Sequence, residues 1–148
     1  MQYAMLLKPH SNVRYRHSLE KLAMIELFCV LNAWKLPSDM ELRSLGGEPF
    51  LVFSAPELTV PQWRDISANA GCCFAAELRE DGSLAPLPRA GRSYYPEELS
   101  ELMKYKGKTN ADFTRLLLHC ARAVSGFAQS DAPLTVLDPM CGKGTTLF

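Results

Sequence analysis

The residues best suited to chemistry stand in one run: Leu134-Thr135-Val136-Leu137-Asp138-Pro139-Met140-Cys141-Gly142-Lys143-Gly144-Thr145-Thr146-Leu147-Phe148. A short apolar segment ends in an aspartate. A turn with two glycines one residue apart follows, then two threonines suited to opening a helix. Glycines at a strand-to-helix turn tolerate unusual φ/ψ and let a ligand approach the backbone. The helix start beyond them offers unbonded N–H groups and a positive dipole end to an anionic group. Two common nucleotide loops fail on named positions. The dinucleotide fingerprint G-x-G-x-x-G needs glycine where Leu147 stands. The phosphate loop G-x-x-x-x-G-K-[ST] needs glycine at Leu137 and a hydroxyl residue at Gly144. Another partial match to that loop, Gly107-Lys108-Thr109, has Leu102 at its first glycine position and no strand before it.

The stretch Asp138-Pro139-Met140-Cys141-Gly142-Lys143-Gly144-Thr145-Thr146 resembles motif I of class I S-adenosylmethionine-dependent methyltransferases. Its Asp-Pro-x-x-Gly-x-Gly-Thr form is typical of enzymes that methylate amino groups of RNA or DNA bases. The resemblance implies a loop around the methionine half of S-adenosylmethionine. Asp138 and Pro139 would anchor it, Met140, Cys141, Gly142 and Gly144 would line the cofactor, and Thr145 and Thr146 would present N–H groups. Upstream, Tyr105-Lys106-Gly107-Lys108-Thr109-Asn110-Ala111-Asp112-Phe113-Thr114-Arg115 resembles the element preceding motif I in base-modifying methyltransferases. That implies a cofactor contact for Thr109 and Asn110, although a helix cap explains both without a ligand.

Taken whole, the chain resembles the tRNA guanine-N2 methyltransferase family and its bacterial relatives, specifically over residues 105–148 and loosely elsewhere. No THUMP RNA-binding domain is recognised. The implied reaction is methyl transfer to a base nitrogen in RNA, with the base flipped out beside the methyl donor. A DNA base as substrate, or a non-enzymatic RNA-binding or interaction module, stays open as an alternative. The Asn/Asp-Pro-Pro-aromatic motif that holds the target amine in the family does not occur in this sequence, so no catalytic residue is assigned. The expectation is an N-terminal piece of a longer enzyme, inactive by itself.

Composition sets the bounds. The sequence has 148 residues, 47% hydrophobic and 22% charged, which fits a globular chain of one ordinary domain, or of one small domain plus part of another. Sixteen basic residues balance sixteen acidic ones, giving a net charge of zero and no overall electrostatic signature of a nucleic-acid binder. Basic residues do cluster locally. Lys104, Lys106, Lys108, Arg115 and Arg122 face only Asp112, and Lys8, Arg14, Arg16 and Lys21 face only Glu20. Such clusters are candidate phosphate contacts or plain solvated faces. Five cysteines without a C-x-x-C pair argue against a disulfide scaffold or zinc site and suit a reducing cytoplasm. His10, His17 and His119 are unclustered in sequence and read as surface or cap histidines. No metal and no membrane partner is expected.

The elements that must position the loop follow from patterning. Tyr3–Leu7 reads as a buried strand. Ser18 caps a helix to about Trp34, apolar on most sides, which Pro37 closes. Glu41–Leu45 and Pro49–Ser54 form a hairpin around Gly46-Gly47, the second strand central. Thr59 and Gln62 have capping-box spacing, and Gly71 is the expected end of the helix they start. Cys72–Arg79 is a strand, turned at Asp81-Gly82 into Leu84–Leu87. The order β-α-β-β-α-β is that of a ferredoxin-like α+β domain over residues 1–88. Residues 89–108 read as a linker with a short helix from Pro96. Residues 109–148 read as the first elements of a Rossmann-like α/β methyltransferase domain. Within them, a helix to about Val124 with Phe113, Leu116, Leu117, Cys120, Ala121 and Val124 at helical spacing is expected against that domain's sheet.

Overall fold

The computed structural model describes residues 1–9, 13–88 and 110–139. Its elements are β1 (Gln2–Leu7), α1 (Val13–Ala33), β2 (Met40–Leu45), β3 (Glu48–Ser54), α2 (Val60–Ser67), β4 (Cys72–Leu78), β5 (Leu84–Pro86) and α3 (Ala111–Val124). The architecture is α+β: one antiparallel five-stranded sheet in the order β2-β3-β1-β4-β5, with three helices among the described residues.

Alternation along the strands sorts side chains to the two faces. Tyr3 pairs with Phe53 and Met5 with Leu51, while Ala4 pairs with Val52 and Leu6 with Phe50. The first set joins Leu27, Val30 and Leu31 of α1 and Ile66 of α2 in the main core. Tyr3 stacks on Phe53 with ring centroids 5.3 Å apart. The opposite face carries Ala4, Phe50, Val52 and Leu78 as a second cluster. β1 is therefore the central strand, and β3 is interior as its unbroken apolar run requires.

The hairpin matches its sequence signal. Gly46 and Gly47 both have positive φ, 61° and 91°, the two-residue turn whose twist suits flanking strands. At Thr59, the Gln62 side-chain oxygen accepts from the Thr59 N–H at 2.9 Å and from its hydroxyl at 3.0 Å. Three expectations change. α1 begins at Val13, so Ser18 lies inside the helix and does not cap it. α2 ends at Ser67, before Gly71. Gly71 instead lies so close to α1 that a Cβ there would meet the Cβ of Ala23 at 2.7 Å. Finally, α1, whose apolar pattern predicts a largely buried helix, leaves Ile25 and Phe28 about half exposed.

The end of α1 is closed without glycine. Leu36 N–H donates to the Leu31 carbonyl at 2.9 Å and Lys35 N–H to that of Asn32 at 3.0 Å. This is the Schellman pattern, which places Lys35 in the left-handed region with φ of 55°.

Candidate cofactor-binding site

α3 is the element that leads to the loop. Asn110 caps it, its side-chain oxygen accepting from the Phe113 N–H at 3.0 Å. The helix-cap role that the sequence offered for Asn110 is therefore the one its side chain fills. After α3, Ser125 closes the helix and a turn follows, in which Gln129 donates to the Ala33 carbonyl at 2.9 Å. Residues 133–138 belong to no helix or strand. The expected strand before Asp138 is thus absent among the described residues, and Val136 and Leu137 are 65% and 87% exposed. A strand of that kind needs neighbours to bond with, and none of the described strands lies beside it. Asp138 is half-buried at the end of this segment and Pro139 is exposed. Thr109, Met140, Cys141, Gly142, Gly144, Thr145 and Thr146 lie outside the described residues, as does the expected helix from Pro96. The structure describes the approach to the loop and its first two residues.

What positions α3 is a polar layer that the sequence pattern does not reveal. Glu26 of α1 is wholly buried. Its two oxygens accept from the Ala70 N–H at 3.1 and 2.9 Å, and one lies 2.6 Å from Nδ1 of His119 on α3. His119 is therefore a half-buried partner of a buried carboxylate, whereas the sequence pointed to a surface or cap residue. His17 does sit at the surface, 3.4 Å from Glu20, and His10 lies outside the described residues. Beside Glu26, Asn69 donates to the Ala23 carbonyl at 2.9 Å and accepts from the Gly71 N–H at 3.0 Å.

A second buried carboxylate, Asp65 of α2, accepts from Trp34 Nε1 at 3.0 Å and from Arg122 Nη1 at 2.9 Å. Between the two carboxylates, His119 Nε2 has no hydrogen-bond partner among the described residues. It borders a cavity of about 10 Å³ lined also by Trp34, Asp65 and Arg122. That volume suits about one water molecule and no substrate. At the other end of α3, Lys8 Nζ pairs with Asp112 at 2.6 Å and Arg115 lies 3.7 Å from the same carboxylate.

These contacts reassign the basic clusters. Lys8 and Arg122 sit in ion pairs that fasten α3 to the sheet-and-helix unit, and Arg115 pairs with Asp112 within α3. Consequently α3 lies on α1, where its periodicity suggests the sheet of a second domain. Its outward stripe, Phe113, Leu117 and Val124, remains exposed. Cys29 and Cys120 meet across the α1–α3 contact. The Cys120 thiol is pushed up to about 12, first by burial and then by Cys29 and Glu26. The signal that points to this layer is Glu26 itself, a carboxylate inside an otherwise apolar helical segment, which must be partnered if buried.

Among the described residues, no group of three or more His, Cys, Asp or Glu side chains is placed to hold a metal ion. No helix among them is long and apolar enough to cross a membrane. Comparison with protein-family models, with curated proteins and with solved structures gave no match.

Proposed function

We propose that the chain forms part of an S-adenosylmethionine-dependent methyltransferase that modifies an amino nitrogen of a base in RNA, either tRNA or rRNA. The observation that carries the reading is the Asp138-Pro139-x-x-Gly142-x-Gly144-Thr145-Thr146 pattern at the end of a short apolar segment. An amphipathic helix and a short connection precede it, as a βα-type cofactor loop requires. The exposed Phe113, Leu117 and Val124 on α3, together with Leu134, Val136 and Leu137, supply the apolar surface that a second sheet layer would cover. The strand order and directions of β1 to β4, with α1 and α2 on one face, support reading the described unit as ferredoxin-like.

The donor set suits the methionine end of the cofactor. Gly142 and Gly144 permit close backbone approach, and Thr145 and Thr146 would offer N–H groups from a helix start. The bound cofactor supplies a methyl group on a positively charged sulfur, so the protein's work is to hold and orient. In this reading Asp138 fixes the loop and Gly142 and Gly144 make room.

The test is an amide-shift titration of isotopically labelled protein with S-adenosylhomocysteine. Shifts centred on Asp138 and residues 140–146, lost in Gly142→Val and not reproduced by ATP or NAD, are the expected result. Equal response to ATP, or no response in this segment, overturns the reading.

A further inference from the structure

We propose that β2 is a self-pairing edge, through which two copies of this chain join their sheets across a two-fold axis at Leu42. This pairing does not depend on the methyltransferase reading.

β2 ends the sheet, with no described strand beyond it. An edge strand presents a row of backbone N–H and C=O groups ready to pair with another chain. Which residues present them follows from the hairpin. The turn has two residues, so Leu45 and Glu48 form the closing pair that exchanges both hydrogen bonds. Alternation then directs the backbone groups of Leu45, Arg43 and Glu41 toward β3, and those of Met40, Leu42 and Ser44 outward. The outward set is centred on Leu42, whose side chain is 42% exposed.

An antiparallel pair centred on Leu42 brings Leu42 opposite Leu42 of the other copy. Met40 then stands opposite Ser44, and Ser44 opposite Met40. Each of these pairs exchanges two hydrogen bonds. On the face away from the helices, where Glu41 pairs with Val52 and Arg43 with Phe50, the same register sets Glu41 of each copy against Arg43 of the other. In the single chain these two side chains already pair, Arg43 Nε donating to Glu41 Oε1 at 3.0 Å. Across the axis they become four alternating charges. The register is also self-selecting. A slip of one residue sets outward backbone groups against inward ones. A shift of the axis by one position in either direction sets Glu41 against Glu41 or Arg43 against Arg43, and like charges directly opposite are destabilising. Leu42 on one face and the charge quartet on the other thus specify a second copy of this same strand, where a generic peptide would lack the matching charges.

Analytical ultracentrifugation of the full chain tests this. The wild type is expected at twice the 16.5 kDa chain mass. Glu41→Arg alone, or Arg43→Glu alone, sets like charges opposite twice and should weaken dimerisation about tenfold or more. An equimolar mixture of these two variants restores opposite charges at both positions and should dimerise again, as should the double variant Glu41→Arg/Arg43→Glu. Leu42→Pro removes the N–H at the axis while leaving the β2–β3 hydrogen bonds, so it should be monomeric with an unchanged circular dichroism spectrum. A monomeric wild type at micromolar concentration overturns the proposal. So does a dimer indifferent to the single charge reversals, or a mixture that stays monomeric.

Discussion

Replacing Glu26 by alanine should unfasten α3 from the rest of the protein. The carboxylate is wholly buried midway along α1. It accepts from the Ala70 N–H through both oxygens, at 3.1 and 2.9 Å, and sits 2.6 Å from His119 Nδ1. Truncation leaves the Ala70 N–H without an acceptor and both ring nitrogens of His119 without partners. A buried orphaned donor costs about 1–3 kcal/mol. The lost hydrogen bond to His119 adds about 0.5–1.5 kcal/mol, so Glu26→Ala should lose about 2–4 kcal/mol. That is a large part of the roughly 5–15 kcal/mol that holds a domain of this size folded. Glu26→Gln keeps an acceptor for the Ala70 N–H and should lose less, about 1–3 kcal/mol. Urea unfolding followed by circular dichroism and by tryptophan fluorescence reads the loss, since Trp34 and Trp63 both lie against the core. His119→Ala and the double variant complete a cycle, and the coupling should exceed about 1 kcal/mol. A loss below about 1 kcal/mol for Glu26→Ala, or additivity within about 0.5 kcal/mol, would refute the fastening role.

Other perturbations follow from single contacts. Gly71→Ala drives a Cβ to 2.7 Å from the Ala23 Cβ, which its own backbone holds in place; it should cost about 1–3 kcal/mol, partly recovered by Ala23→Gly in the same chain. Lys35→Gly relieves the left-handed φ of 55° and should raise stability by about 1 kcal/mol in urea unfolding. The raised thiol of Cys120 favours the folded state below the ordinary thiol range near 9, and that stability should fall as pH rises from there toward about 12. Cys120→Ala should therefore flatten the alkaline limb of a stability profile. In alkylation mapped by mass spectrometry at pH 8, exposed Cys73 should react well before Cys120 and buried Cys72.

Local pattern was enough for most of the elements. The alternation at Tyr3–Leu7, the Gly46-Gly47 turn, the Thr59/Gln62 cap and the Asn110 cap each carry their cause within a few residues, so they were legible one by one. The start of α1 was not, because Ser18 is a good cap residue and nothing local says that the helix continues back to Val13. For the candidate site, glycine spacing and the Asp-Pro pair are local chemistry, so the proposal of a cofactor loop rests on the sequence. Only the tertiary structure decided what holds α3. Glu26, Asp65, His119 and Arg122 are scattered along the chain, and their charges look like solvent-facing ones until packing places the partners together. The periodicity of α3 showed an apolar face but could not say which layer it meets. Ion pairs from Lys8 and Asp65 hold the helix on α1 and leave Phe113, Leu117 and Val124 outward. A pattern records which residues must be covered, whereas the partner that covers them is fixed by contacts distant in sequence.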